Sequence, residues 1–247
     1  MTKIVKHNMR VILNAASSID GRIATWRGDT KISSASDLRR VHILRSKVDA
    51  ILVGITTVIK DDPLLTVRKV PNRAMIGRNY LSKTNPMRII VDGRAKISIH
   101  SAIVKSANQI ETRIAVTKNA SLKKLKRLEE LGLKIMVIDE DPEKQGRVDL
   151  RKLFDYLEHD GVSKILVEGG GEINWSLIKN NLFDELIVTI SPLIIGGKKA
   201  TSLVGGKGYD TIIDCAKVKL SKVQKKNTGE IVLYYNNINK DVMKIKY

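Results

Sequence analysis

The chain has a single cysteine, Cys215, so no disulfide can form within it and no Cys-x-x-Cys metal site exists. Its four histidines, at positions 7, 42, 100 and 159, lack metal-ligand spacing, and no metal is expected. Only two Phe and two Trp are present, too few to furnish a stacking platform for single-stranded bases. No apolar run approaches the roughly 18–20 residues that cross a bilayer. The opening MTKIVKHNMRVILNAASSIDG has scattered charges and no apolar block, so it reads as the approach to a strand rather than a leader. A cytoplasmic location is the default expectation. GxSxG and GxxxxGK[ST] are both missing, which leaves nucleophilic catalysis and a P-loop without candidates.

What is abundant is positive charge. Forty-four Lys and Arg against 26 Asp and Glu give a net charge of +18 in 247 residues. The basic residues are spread along the chain instead of forming an arm, so a solvated lysine-rich surface is expected. Such a field also favours an anionic small substrate. A basic nucleic-acid-binding protein stays as the remote alternative.

Apolar, β-branched runs alternate with helical patterns, the signature of a sheet built from βαβ units. Strands are expected at Arg10–Ala16, Ala50–Gly54, Met87–Asp92, Arg113–Thr117, Lys134–Ile138, Lys164–Glu168 and Glu185–Ser191. The runs AILVG, RIIVD and KILVE are apolar throughout, as parallel strands covered on both faces are. Helices are expected at Ser36–Lys47, Ser121–Leu131, Asp149–His159 and Glu172–Asn180, with Leu122, Leu125, Leu128 and Leu131 on one face of the second. Lys217–Lys222 and Glu230–Asn236 read as an antiparallel hairpin. The expectation is one α/β domain over residues 1–247, with a core of about 9–236, a mixed but largely parallel sheet and a loose tail.

Three segments carry candidate chemistry. VEGGG (167–171) ends a buried-type strand and opens a helix. Glycines there admit close approach to a ligand, and a helix start favours a phosphate, although a tight turn alone would also use glycine. GITTVIKDDPLLTVR (54–68) gathers Thr56, Thr57, Thr66, Asp61, Asp62 and Arg68 after a core strand; Asp62-Pro63 is itself a turn signal. NAASSIDGRIA (14–24) breaks a strand into small residues before Asp20-Gly21, a turn pair. Thr30 and Lys31 follow in GDTKISS. The next helix carries Arg39, Arg40, His42 and Arg45, which read as a solvated face with a phosphate site as the alternative. The glycine-rich stretch 190–208 reads as a structural connection.

Taken in order, SIDGRIA, the helix with Arg45, DAILVGITTVIKDDPLLTVR, MRIIVDG and VEGGGEINWSLI resemble the reductase family of riboflavin biosynthesis, in its stand-alone archaeal and fungal form. The resemblance runs from Arg10 to about Tyr235. It implies a dihydrofolate-reductase-like fold, a homodimer and NADPH as hydride donor, with NADH as the alternative. The implied reaction reduces a ribosylamino group to a ribitylamino group on a phosphorylated pyrimidine. Carried over by motif, Thr57, Asp61, Gly169, Gly170, Gly171 and the helix start Glu172, Ile173 and Asn174 contact the cofactor, with Ala15 and Gly93 lining its groove. Arg45, Leu65, Arg68 and Glu168 face the substrate, joined by Asn14 and by Thr30 or Lys31.

Asp61 is the candidate group for stabilising or protonating the imine, and Arg94 or Lys118 for holding a 2′-phosphate. Bacterial members commonly carry Lys where this chain has Asn14, and they add a zinc deaminase that is missing here. The implied substrate is therefore the still-aminated pyrimidine. Another reductase of the same fold, acting on the deaminated pyrimidine or on a dihydrofolate-type compound, is the alternative.

Overall fold

The computed structural model describes residues 8–68 and 85–238. The apolar runs form a nine-stranded sheet in the order β12-β13-β10-β1-β9-β3-β4-β5-β6. Its parallel part comprises β1 (Arg10–Ser17), β3 (Ala50–Gly54), β4 (Met87–Val91), β5 (Thr112–Val116), β6 (Lys134–Val137), β9 (Lys164–Val167) and β10 (Glu185–Ile190). β12 (Val218–Lys225) and β13 (Ile231–Asn237) close one edge as an antiparallel hairpin, β13 lying on β10. The mixed, largely parallel sheet and terminal hairpin are those expected. Two short pairs lie apart from it: β2 (Arg22–Ala24) with β11 (Thr201–Ser202), and β7 (Glu140–Asp141) with β8 (Lys144–Val148).

Alternation along the strands sends apolar residues to both faces. One face buries Leu13, Leu52, Ile89 and Val167 under α5 (Leu150–His159) and α6 (Gly171–Lys179). The other buries Ile12, Ile51, Val53, Ile90 and Leu166 under α1 (Ala35–Arg45), α2 (Ile55–Asp61), α3 (Ala102–Lys105) and α4 (Leu122–Glu130). Ser34 caps α1 by accepting from the Asp37 amide, and Asp149 caps α5 by accepting from Arg151 and Lys152. Of the four leucines expected on one face of α4, Leu125 and Leu128 are buried while Leu122 is exposed, because it stands in the unpacked first turn. No helix among the described residues is long and apolar enough to cross a membrane.

The elements not foreseen are short. α2 has seven residues, two of them β-branched threonines, and buries only Val58, so no helical stripe precedes it. The β7–β8 hairpin is built from charged residues and borrows its burial from the strand ends beside it.

Candidate functional site

The carboxyl ends of the parallel strands collect the candidate residues, as open α/β sheets do where their strand order reverses. β9 returns between β1 and β3, which brings the ends of these three strands side by side. Leu13 pairs with Val167, so the residues that follow, Asn14 in β1 and Glu168 just past β9, stand level at the sheet's rim. By alternation both share the face that holds Ile12 and Leu166, the α1 face. Asn14 is buried, and its Oδ1 has no hydrogen-bond partner among the described residues. A buried acceptor left open at the rim is costly unless a ligand donor reaches it.

From α1, Arg45 reaches across to Glu168. Nε and Nη2 donate to the two carboxylate oxygens at 2.6 Å each, and Nη1 donates to the Thr66 carbonyl at 3.0 Å. Arg45 is thereby committed to Glu168 and to the loop, whereas the Arg68 side chain is exposed. The segment Leu64–Arg68 is pinned at several points. Arg88, fully buried in β4, donates to the Leu64 carbonyl at 3.1 Å, and Asn85 Oδ1 accepts from the Val67 amide. Leu65 sits at φ +49°, a left-handed conformation that a leucine holds only when its surroundings impose it. Its side chain is buried in the α1-face core.

The solvated-face reading of α1 is corrected here. Arg40 and His42 are less than a tenth exposed. Arg40 donates to Asp37 Oδ1 at 2.8 Å and to Thr189 Oγ1 at 3.0 Å, while His42 Nδ1 accepts from the Arg68 amide at 3.3 Å. Arg39, by contrast, is exposed, as are Ala35 and Leu38 of the same helix. Period alone does not reveal this, because the buried side of α1 is polar and satisfied by other segments.

The α6 side of the rim holds the glycines. Gly169 and Gly170 take φ of +69° and +79°, and the Gly54 amide donates to the Gly169 carbonyl at 3.1 Å. Packing accounts for several of these glycines. A Cβ at Gly54 would lie 2.9 Å from Ile173 Cγ1, and one at Gly171 would lie 2.7 Å from the Ser202 carbonyl. Gly170 is different: only Thr57 Oγ1 comes near its Cβ position, at 3.2 Å. Thr57, Gly170 and the first turn of α6 are therefore one cluster, with main-chain amides that have no acceptor inside the helix. A pyrophosphate fits such amides and the helix dipole. Ala15 lies one residue along β1 from Asn14, on the opposite face.

The remaining candidates are less central. The Glu172 side chain is half-exposed, pairs with Arg147 and accepts from the Gly206 amide; the Arg147 bond lowers its pKa most. Only its main chain is left for the glycine turn. Asn174 donates to the Leu203 carbonyl at 2.7 Å, its Oδ1 lies against Gly169, and that oxygen is buried without a partner among the described residues. Thr30 donates to Asp61 Oδ1 at 2.9 Å, which closes the 25–34 segment onto the end of α2. Lys31 is exposed beside it. Asp62, as its turn chemistry suggests, caps both neighbours: it ends α2 at φ +40°, and its Oδ1 accepts from the Ala102 amide at 2.7 Å.

Gly93 follows β4, and its Cβ position falls 2.4 Å from the Gly146 carbonyl of the β7–β8 hairpin. The Arg94 guanidinium packs on Gly146, and Lys118 follows β5 on the neighbouring strand. Asp20 accepts from Ser18 and from the amides of Ile195 and Gly196, bonds that lower its pKa to about 2; it fastens the first turn to the 190–197 loop.

Residues 9–232 match the model of the RibD C-terminal domain. The chain is 38% identical over 224 residues to the 2,5-diamino-6-ribosylamino-4(3H)-pyrimidinone 5′-phosphate reductase of Methanothermobacter thermautotrophicus, covering 91% of this chain and 96% of that one. It is 33% identical to the reductase of the same name from Archaeoglobus fulgidus, covering 89% and 94%. Among solved structures it superposes on Acinetobacter baumannii RibD with a TM-score of 0.76 at 23% identity, covering 92% of this chain and 57% of that one.

Proposed function

Since the chain belongs to the RibD C-terminal domain family, we propose that it reduces 2,5-diamino-6-ribosylamino-4(3H)-pyrimidinone 5′-phosphate, its ribosylamino group becoming ribitylamino, in riboflavin biosynthesis. The observation that carries the reading is the rim itself. An arginine-held carboxylate, a buried open acceptor and an exposed arginine stand on one side of the strand ends, and an anion-ready helix start stands on the other.

The reaction adds one hydride to C1′ of the ring-opened sugar imine and one proton to its nitrogen. When bound, NADPH supplies the hydride. The chain's own residues position and polarise. Glu168, oriented by Arg45, and Asn14 Oδ1 accept N–H or O–H groups of the substrate. Arg68 takes the 5′-phosphate through paired donors. Leu65 supports the ring with its side chain, and Thr30 or Lys31 adds a polar contact. Thr57, Gly169, Gly170 and the main chain of Gly171, Glu172, Ile173 and Asn174 cradle the cofactor's pyrophosphate, with Ala15 and Gly93 along its groove. Asp61, held by Thr30, stabilises the iminium or passes it a proton. Arg94 and Lys118 select NADPH over NADH through the 2′-phosphate. A cytoplasmic homodimer completes the reading, and the outer strand β12, with Leu220 and Val223 exposed, offers an edge for a second copy.

Incubation with NADPH and the aminated pyrimidine phosphate tests the reading. It predicts a product heavier by two hydrogens whose sugar is an open ribityl chain. Unchanged substrate overturns it.

A further inference from the structure

We propose that neutral His42 is a positioning residue, holding the main chain of Arg68 so that its side chain meets the substrate's phosphate. The inference rests on the substrate role given above to Arg68.

His42 lies in the last turn of α1 and is 7% exposed. Its Nδ1 accepts from the Arg68 amide at 3.3 Å, and the Thr66 main chain lies close enough to the ring to pull its pKa upward. One turn on, Arg45 donates to the same Thr66 carbonyl while gripping Glu168. Two residues of α1 thus fasten the segment that begins at the strained Leu65 and ends at Arg68. Without these bonds the chain that follows the left-handed Leu65 is less firmly held, and the Arg68 guanidinium loses its fixed origin.

Only an unprotonated Nδ1 can accept from an amide. The groups facing the ring are Arg45 from its own helix, Arg68 from the loop and Glu168 from the end of β9. Burial, then the two guanidiniums, hold the ring below its ordinary pKa of 6.5, against the opposing pull of Thr66 and Glu168. At neutral pH the bond is intact. As pH falls through the depressed pKa, Nδ1 gains a proton, two donors face each other, and the Arg68 segment is released. The expected result is a rise in KM for the phosphorylated substrate on the acid side, with kcat changed less.

The test combines two variants with a direct reading of the ring. In His42→Asn the amide oxygen stands near the place of Nδ1 and accepts without titrating; in His42→Leu nothing accepts. His42→Leu is expected to raise KM about tenfold at every pH, the worth of one lost hydrogen bond, with kcat within about threefold. His42→Asn is expected to recover most of that loss and to lack the acid-side rise seen in the wild type. Ring nitrogen chemical shifts of wild-type His42 are expected to show unprotonated Nδ1 at neutral pH. An acid-side rise that persists unchanged in His42→Asn belongs to the substrate's phosphate and overturns the proposal. So does a protonated Nδ1 at neutral pH. A wild type that reduces no pyrimidine fails the functional reading alone, because the nitrogen shifts still decide the hydrogen bond.

Discussion

Arg45 and Glu168, 123 residues apart in the chain, meet through two parallel hydrogen bonds of 2.6 Å, with each side chain little more than a tenth exposed. The pair joins α1 to the end of β9 and fixes where the carboxylate points. A fork of this geometry is specific to arginine, since an ammonium offers a point charge. Arg45→Met would leave Glu168 largely buried and uncompensated and is expected to cost about 3–5 kcal/mol of stability. Arg45→Lys keeps the charge, so it is expected to fold and to raise KM for the pyrimidine more than it lowers kcat. Denaturant unfolding and steady-state kinetics read the two effects. A fully stable Arg45→Met would show that the pair holds nothing.

A second arginine works entirely inside the protein. Arg88 is wholly buried and donates to Thr112, Ser106 and the carbonyls of Leu64, Ile103 and Ile110. Burial lowers its pKa to about 10. Arg88→Met would strip a donor from three main-chain carbonyls and is expected to destabilise the fold by about 3 kcal/mol or more. Because Leu64 begins the Arg68 segment, KM for the phosphorylated substrate should rise as well. Chemical denaturation that reports an unchanged midpoint would contradict this.

Asp61 is exposed at the end of α2 and receives the Thr30 hydroxyl at 2.9 Å. If it serves the iminium, Asp61→Asn lowers kcat by about 100-fold, the usual scale of acid–base assistance, and leaves NADPH affinity close to that of the wild type. Thr30→Val should lower kcat less, by loosening Asp61 without removing it. Full turnover in Asp61→Asn with tight NADPH binding removes Asp61 from that role.

Acid stability depends on Asp20. Its carboxylate takes the amides of Ile195 and Gly196, and its folded pKa is about 2 against an ordinary 3.8. The folded state therefore binds the proton later than the unfolded chain. The stabilisation is fully present above pH 3.8 and is lost as pH falls towards 2. Melting temperature followed over that window should fall less steeply in Asp20→Asn than in the wild type, with Asp20→Asn already the less stable at neutral pH. Parallel curves would remove Asp20 from the linkage.

The parallel strands were legible because AILVG, KILVE and RIIVD are apolar on both sides, and the helix from Asp149 announced its cap. What escaped is what tertiary contact decides. α1 buries Asp37, Arg40 and His42, residues that a hydrophobic pattern assigns to solvent, because Thr189, Ser33 and the 66–68 main chain satisfy them. The glycines of VEGGG mark a tight strand-to-helix turn, and two of the three, Gly169 and Gly171, are explained by close packing with Asn174 and Ser202. Nor could spacing reveal that Arg45 grips Glu168 instead of standing free, since a pair 123 residues apart leaves no local trace.

The proposed reduction is tested most directly by following NADPH consumption with the aminated pyrimidine phosphate beside its deaminated analogue and a dihydrofolate. Turnover is expected, with kcat/KM highest for the aminated compound. Equal or preferred turnover of either competitor, or NADPH binding with no reduction of any of the three, would contradict it.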